Sequence, residues 1–209
     1  MRHVAIMIFD DVEVLDFAGP YEVFNVTREL SLMSEMNVFT VAESTAPVRT
    51  RGQLSLNPNY SFTNMPQTDI LLIPGGAGSR TLLQKPHIIE WIRQQHSKVE
   101  FLLSVCTGSL PLAKAGLLDG LEATTHHDNL DELEALVNED TTIIRDKRYV
   151  DTGKIIMSGG VSAGIDMSLY VIQKLYGDEV LAKTLTEMEY PWTPDTGLNW
   201  VGCVEALES

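Results

Sequence analysis

The sequence predicts an α/β fold built on a mostly parallel sheet with helices on both faces. The order of the predicted elements along the chain leads to this prediction. Apolar runs of strand length alternate with segments of helical periodicity along most of the 209 residues, and this order is typical of parallel strands joined by helices. Neither an internal repeat nor a linker interrupts the alternation. One domain is therefore expected over residues 1–209, with its core at about 3–190 and an irregular tail at 191–209.

Each element follows from a local pattern. Apolar or alternating runs predict strands at 3–9, 37–42, 47–63 in a less regular form, 70–73, 100–105, 121–125, 142–145, 148–150 and 154–157. Helical periodicity predicts helices from near Pro20, at 87–96, after Cys106, around 131–137, at 162–176 and at 178–188. The first helix is expected to begin near Pro20 because proline is favourable in a first helical turn.

The most informative stretch surrounds Cys106. An apolar run ends at Ser104-Val105-Cys106-Thr107-Gly108 and passes directly into a helical pattern. This arrangement is typical of a nucleophile elbow, in which small residues flank a nucleophile held on a sharp turn between strand and helix. The unpaired N–H groups and the dipole of a helix N-terminus favour thiolate over thiol, and thiolate is the reactive form. The alternative is a buried structural cysteine, since free cysteine is among the most buried residue types.

Composition excludes several classes of function. The chain has 15 basic and 29 acidic residues and a formal net charge of −14, which argues against binding nucleic acid or an anionic membrane. Its two cysteines, Cys106 and Cys203, do not form a disulfide framework, and zinc-type Cys/His spacings are absent. The apolar N-terminal run is too short for a signal peptide or a membrane span. We therefore expect a cytoplasmic protein without metal or organic cofactor, in which Cys203 is inert.

Four loops are expected at the carboxyl ends of the strands, where ligands bind in such sheets. They are residues 10–19, 74–78, 106–108 and 158–164. In the second loop, Gly75 and Gly76 are candidates to present backbone N–H groups to an anionic reacting centre. The alternative is a plain tight turn. Neither this loop nor 159–164 has the spacing of a phosphate-binding or dinucleotide-binding motif.

Five motifs resemble the DJ-1/PfpI superfamily, and within it the isonitrile hydratase branch. They are Leu15-Asp16-Phe17-Ala18-Gly19-Pro20, Ile73-Pro74-Gly75-Gly76, Ser104-Val105-Cys106-Thr107-Gly108, Ala123-Thr124-Thr125-His126 and Ser158-Gly159-Gly160-Val161-Ser162-Ala163-Gly164. The resemblance covers about residues 3–190 and implies a flavodoxin-like three-layer sandwich and a homodimer. It favours the isonitrile hydratase branch because Thr107 follows the cysteine and Asp16 precedes the Gly-Pro. His127 and the segment 190–200 depart from that branch, and these departures concern the substrate rather than the chemistry.

The resemblance also implies a chemistry. Cys106 as thiolate would attack an electrophilic carbon, and Asp16 would donate a proton to the adduct or activate the water that resolves it. Thr107 would contribute its backbone N–H and hydroxyl, and His126 would line the site. Each of the three has a plain alternative: Asp16 as a helix N-cap or a carboxylate that braces a loop, Thr107 as a packing residue, and His126 as a hydrogen-bonded polar histidine.

The expected partner is a small-molecule substrate, in the first place a small apolar isonitrile. A glyoxalase-like or deglycase-like enzyme acting on 2-oxoaldehydes would use the same thiol, whereas the residue after the cysteine disfavours a protease. A non-enzymatic ligand-binding or redox-sensing domain, related to transcription regulators, is the third alternative. The chain ends at Ser209, which leaves no room for a helix-turn-helix module. Candidate residues for the dimer interface are Val23, Phe24, Leu30, Trp192 and Trp200.

Overall fold

A computed structural model describes residues 1–30 and 36–194. The strands are β1 (Arg2–Met7), β2 (Met36–Ala42), β3 (Val48–Arg49), β4 (Ser55–Leu56), β5 (Tyr60–Ser61), β6 (Ile70–Ile73), β7 (Phe101–Val105), β8 (Glu122–Ala123), β9 (Thr142–Ile143), β10 (Tyr149–Asp151) and β11 (Ile155–Ser158). The helices are α1 (Val14–Leu30), α2 (Ser79–Leu83), α3 (Pro86–Lys98), α4 (Ser109–Lys114), α5 (Leu130–Glu134) and α6 (Ala163–Met188). Short 3₁₀ turns occupy Cys106–Gly108 and His127–Asn129.

Seven strands form the central sheet in the order β10-β11-β7-β6-β1-β2-β5. All neighbouring pairs are parallel except β10 and β11. The central strands β6 and β7 are buried along their whole length. Their sequences are accordingly continuous apolar runs rather than alternating ones, as expected for a parallel sheet that is covered on both faces.

The helices cover the two faces of this sheet. The chain moves in one direction from β1 to β2 and in the opposite direction from β6 to β7. Because such crossovers are right-handed, α1 and α3 must lie on opposite faces. Helix α6 packs against α1, while α2, α3 and α4 pack against one another. The predicted three-layer α/β sandwich with a mostly parallel sheet is confirmed.

Two details of the helices differ from the sequence-based expectation. Helix α1 begins at Val14, ahead of the expected start near Pro20, and therefore contains Asp16 in its first turn. Pro20 therefore lies inside the helix, where it cannot donate an N–H to the Asp16 carbonyl and its ring crowds that carbonyl. The short helix α2 was not predicted. Helix α6 is broken at Gly177, whose φ is 80° and ψ is −179°, so the two helices expected on either side of this residue are confirmed.

Most of the described residues that were predicted for a dimer interface are packed against the core of the monomer. Val23 and Phe24 are fully buried in the central core, and Trp192 packs against that core. The prediction is wrong for Val23 and Phe24, because α1 packs against α6 and buries both side chains in the core. Trp200 and Cys203 lie outside the described residues. No helix within residues 1–30 and 36–194 is both long enough and apolar enough to cross a bilayer.

Candidate active site

Cys106 lies on a strained turn between β7 and α4. Its φ is 56°, a left-handed conformation that is uncommon for a residue other than glycine and is concentrated at functional sites. Two hydrogen bonds hold it there: the Cys106 N–H donates to the Gly159 carbonyl at 3.0 Å, and Thr125 Oγ1 donates to the Cys106 carbonyl at 2.8 Å. The predicted order of strand, sharp turn and helix is confirmed.

Asp16 reaches the same place from the first turn of α1. Its side chain is 0 % exposed, and Oδ2 accepts a hydrogen bond from the Gly75 N–H at 3.0 Å. The carboxylate therefore braces the turn after β6 rather than capping its own helix, so the loop-bracing alternative describes one of its contacts. Within the described residues, Oδ1 is buried without a hydrogen bond of normal geometry. The groups beside the carboxyl that lower its pKa are the Gly75 N–H, the Cys106 thiol and the Val161 N–H.

Burial controls the ionisation of this acid–thiol pair. Desolvation raises the pKa of Asp16 to about 7, and the nearby negative charge of Glu13 adds to the shift. Desolvation also raises the pKa of Cys106 to about 12, with the charge of Asp16 as the second cause. The pair thus holds one proton over a wide range above neutral pH. The negative charge of either group raises the pKa of the other, so the two groups do not both ionise readily.

This result corrects the sequence-based expectation of a helix-stabilised thiolate. Helix α4 has six residues, so its dipole is small, and the Cys106 side chain is only 7 % exposed. The cost of placing a charge in that environment exceeds the benefit of the nearby N–H groups. Hydrogen bonding by Thr107 lowers the thiol pKa, but it is outweighed. A free thiolate at neutral pH is therefore not the resting state.

Thr107 and the Gly75-Gly76 turn form a rigid support under the pair. The Gly76 N–H donates to Thr107 Oγ1 at 3.0 Å, and Ser79 Oγ lies 3.0 Å from the same oxygen. The N–H groups of Gly75 and Gly76 are thus both engaged by protein side chains. In this arrangement they position Asp16 and Thr107, and they are not free to receive a substrate anion as the sequence had suggested.

Gly75 is required for steric reasons. A Cβ atom at this position would lie 2.6 Å from the Thr107 nitrogen and 2.8 Å from Asp16 Oδ2. Real Cβ atoms do not approach other atoms this closely, so a larger residue would push the carboxyl away from the thiol. Gly75 is therefore needed for the close approach of Asp16 and Thr107, in addition to any role in the turn.

The thiol opens onto a pocket of about 350 Å³, which we call the nucleophile pocket. Its lining residues are Glu13, Arg51, Gly76, Ala77, Arg80, Cys106, Thr107, His126, Asp128, Asn129 and Val161. Most of these side chains are polar or charged. Arg51 pairs with Glu13 at 3.1 Å, and Arg80 pairs with Glu132 at 2.5 Å. The pocket is thus less suited to an apolar substrate than the resemblance implies.

His126 forms one wall of the nucleophile pocket. Its Nδ1 accepts a hydrogen bond from the Asp128 N–H at 3.2 Å, so the neutral ring carries its proton on Nε2. Desolvation and the neighbouring His127 lower the pKa of His126, which favours this neutral form. The ring fits only because residue 160 is glycine: a Cβ there would lie 2.1 Å from His126 Cδ2.

Several contributors to the site were not predicted from the sequence. Val161 has a φ of 50°, which is a genuine outlier for a β-branched residue, and it directs its N–H at Asp16. Nothing in the local sequence marks this conformation. Thr125 and Ser79 were also missed, although Thr125 belongs to a motif that carried the family resemblance. The pocket arginines, Arg51 and Arg80, belong to a hairpin and a short helix that have no strong sequence signal.

Among the described residues, one group of side chains could hold a cation. His126, His127 and Asp128 each bring one potential ligand atom within 4.8 Å of the others. They are consecutive residues, and the Nδ1 of His126 is already engaged by the Asp128 N–H. This grouping differs from the zinc-type spacings considered in the sequence.

The fold, the cysteine elbow and the carboxyl partner define one class of protein. A model of the DJ-1/PfpI family matches residues 2–174. The chain therefore belongs to the DJ-1/PfpI family.

Named relatives of the chain carry different functions. Isonitrile hydratase from Pseudomonas putida is 34% identical over 91% of this chain and 79% of its own length. The HTH-type transcriptional regulator GbdR from Pseudomonas aeruginosa is 26% identical over 90% of this chain, which spans 50% of that regulator. The glutathione-independent glyoxalase DJR-1.2 from Caenorhabditis elegans is 24% identical over 74% of this chain and 81% of its own length.

A solved structure supports the fold. The THiJ/PfpI family protein from Pseudomonas syringae superposes with a TM-score of 0.82 at 26% identity, covering 92% of this chain and 76% of that one. The predicted flavodoxin-like sandwich of this family is therefore confirmed.

Proposed function

We propose that this protein is a cysteine-dependent enzyme of the isonitrile hydratase type, with Cys106 as nucleophile and Asp16 as acid and base. The observation that carries the proposal is the fully buried Asp16 carboxyl beside a thiol on a strained elbow. A buried carboxyl with an oxygen lacking a normal partner costs stability. Such a cost is typical of a catalytic site, where an acid or base is held ready for a reacting group.

The first step transfers the thiol proton. As Cys106 Sγ bonds to the terminal carbon of R–N≡C, its proton passes to the Asp16 carboxylate. The electron pair that develops on that carbon then takes the same proton from Asp16. The product is a thioimidate, R–N=CH–S–Cys106, and Asp16 is again a carboxylate. A carboxyl pKa of about 7 suits both transfers, because proton exchange is most effective near the operating pH.

The second step adds water. Asp16 removes a proton from a water molecule that attacks the thioimidate carbon and passes this proton to the substrate nitrogen. As the C–S bond breaks, the hydroxyl proton of the adduct moves through Asp16 to sulfur, which releases the formamide R–NH–CHO. Thr107 supports this step through the N–H and hydroxyl that lower the pKa of the departing thiol. The sequence uses one water molecule and returns the enzyme to its starting state.

A glyoxalase-like activity is the second candidate, and the lining of the nucleophile pocket favours it. Arg51, Arg80 and Asn129 line this pocket together with two carboxylates, Glu13 and Asp128. A small 2-oxoaldehyde has two carbonyl oxygens to receive hydrogen bonds from such groups, whereas an apolar isonitrile has none. The same thiol and carboxyl would form and resolve a hemithioacetal.

The assay that separates these functions uses both substrates with one control. Purified protein is given cyclohexyl isonitrile or methylglyoxal, and formation of the formamide or of lactate is followed, with Cys106→Ala as the inactive reference. Turnover of the isonitrile alone supports the first candidate, and turnover of the aldehyde alone supports the second. If neither is consumed by protein with an intact thiol, the protein is better described as a ligand-binding or redox-sensing domain.

We also propose that the chain acts as a cytoplasmic homodimer on a small molecule. This follows from its family and from the net charge of −14, which disfavours nucleic acid and anionic membrane as partners. Light scattering at micromolar protein tests the assembly. A mass of 23.2 kDa would correspond to a monomer and contradict it.

A further inference from the structure

A second pocket lies on the other side of His126. We call it the cationic pocket and define it by His126, His127, Arg145, Lys147 and Arg148, with a volume of about 230 Å³. The lining also includes the buried side chains of Leu130 and Ala163. Cys106 and Asp16 do not line it, so the proposed reaction makes no use of this pocket.

The cationic pocket is lined by positive charges, although the chain as a whole is acidic. Three of the 15 basic residues line it, and among the described residues no aspartate or glutamate does, although the chain has 29 of them. The nucleophile pocket, by contrast, has two arginines and two carboxylates in its lining. Concentrated charge of one sign in a cleft attracts ligands of the opposite sign.

Two of the three cations have structural partners. Arg145 pairs with Asp131 at 3.0 Å and with Glu134 at 2.7 Å, which ties the loop before β10 to α5. Arg148 pairs with Asp166 in the first turn of α6. Both guanidinium groups are thereby fixed at the edge of the pocket, and none of the three carboxylate partners lines it.

Lys147 is different from these two arginines. It is exposed, and it forms no ion pair with any residue in 1–30 or 36–194. A lysine held close to two arginines experiences like-charge repulsion, which a bound anion would relieve. Lys147 is therefore the cation in this pocket that has no role in holding the fold together.

We propose that the cationic pocket binds a small organic anion, a carboxylate carried on an apolar body. The three cations recognise the carboxylate, and Leu130 and Ala163 provide an apolar surface for the remainder of the ligand. The volume is below that of pockets for drug-sized molecules, which span roughly 300–1,000 Å³, so the ligand must be small. This site is independent of the proposed reaction and goes beyond it.

A metal cation is the competing occupant, because His126, His127 and Asp128 can converge on one ion. The charge of the surroundings disfavours it. Arg145, Lys147 and Arg148 line the cavity beside these histidines, and each would repel a divalent cation. An anion experiences the opposite field.

Benzoate is the probe, and benzamide is its uncharged match in shape. Binding is measured by calorimetry and by NMR of the histidine rings. We expect benzoate to bind, to shift the ring signals of His127, which lines only the cationic pocket, and to bind less tightly as salt is raised. Benzamide is expected to have no measurable effect. Equal binding of the two compounds would show that the three cations are not the recognition element and would overturn the proposal.

The matched variants are Lys147→Gln and Lys98→Gln. Both lysines are exposed and lack an ion pair within the described residues, but Lys98 lies at the end of α3, away from the cationic pocket. We expect Lys147→Gln to weaken benzoate binding roughly three- to fivefold, as expected for loss of one exposed charge pair, and Lys98→Gln to leave it unchanged. The circular dichroism spectrum of both variants should match that of the unsubstituted protein, because neither lysine holds a partner.

Zinc provides the decisive comparison. If Zn²⁺ binds and shifts the His127 signals while benzoate does not, the pocket is a cation site and the proposal is wrong. The same conclusion follows if benzoate binds but Lys147→Gln leaves its affinity unchanged. None of these measurements depends on turnover, so their failure is distinct from failure of the proposed reaction.

Discussion

The two pockets on either side of His126 differ in how deeply their ionisable groups are buried. In the nucleophile pocket, Asp16 and Cys106 are withdrawn from water, and desolvation raises the pKa of both. In the cationic pocket the charges stay at the surface, where Arg145 and Lys147 are exposed. Desolvation produces groups that exchange protons near neutral pH, whereas exposed charges provide recognition without chemistry.

The largest effect should come from Asp16→Asn, which removes the base from the nucleophile pocket alone. We expect kcat/KM to fall by about 10²–10⁴, the range for loss of a general acid–base group. In the unsubstituted protein kcat/KM should rise with pH through about 7 as Asp16 ionises, and this rise should be absent from the variant. A pH–rate profile of both proteins checks it. A profile that rises only near the thiol pKa would assign the rate to free thiolate instead.

The stability of the protein should depend on pH through the same carboxyl. The pKa of Asp16 is raised from 3.8 to about 7, so the folded state holds a proton that the unfolded chain releases between these values. Stability from this group is complete below pH 3.8 and is lost as pH rises to about 7, by up to a few kcal/mol. Denaturant unfolding at several pH values should show a flatter dependence for Asp16→Asn. An equal dependence in both proteins would mean that Asp16 is not the buried acid.

Gly160→Ala tests whether His126 is a shared wall. The added Cβ would meet the His126 ring at 2.1 Å, so the ring must move and both pockets should change. We expect a loss of stability of about 1–3 kcal/mol, typical of overpacking, together with weaker benzoate binding and slower turnover. Gly52→Ala is the control, since its Cβ would meet nothing within 4 Å. If only one pocket responds, the two sites are independent.

The smallest effect concerns the reactivity of the thiol. Because burial raises the pKa of Cys106 to about 12, iodoacetamide should label it slowly at pH 7 and faster as pH rises. Asp16→Asn removes the negative charge that adds to this shift, so labelling at pH 9 should be faster by about tenfold, or one pKa unit. Mass spectrometry of the Cys106 peptide follows the rate. Fast labelling at pH 7 would restore the helix-stabilised thiolate that the sequence suggested.

The sequence was sufficient to locate much of the site, but it did not predict the hydrogen bonds and conformations of the site residues. Cys106, Thr107 and the glycines at 75 and 76 were identified by local patterns. The roles were harder to predict: Gly75 and Gly76 turn out to hold Asp16 and Thr107. Asp16 was placed in a loop before α1, since the rule for Pro20 favoured a later start of that helix. The loop 158–164 was expected near the site, but the left-handed conformation of Val161 within it was not, because such a conformation of valine has no sequence signature.

What the sequence determined by itself was the alternation of strands and helices and the position of Cys106 on the turn between two of them. Both depend on backbone preferences and periodicity among neighbouring residues, which a linear pattern records. The tertiary structure decided which groups meet and how they ionise. Asp16 and Gly75 are 59 residues apart, and Cys106 is brought to the same carboxyl from a different strand. A pKa is set by the water excluded and the charges gathered around a group, and these are properties of the packed molecule rather than of any segment.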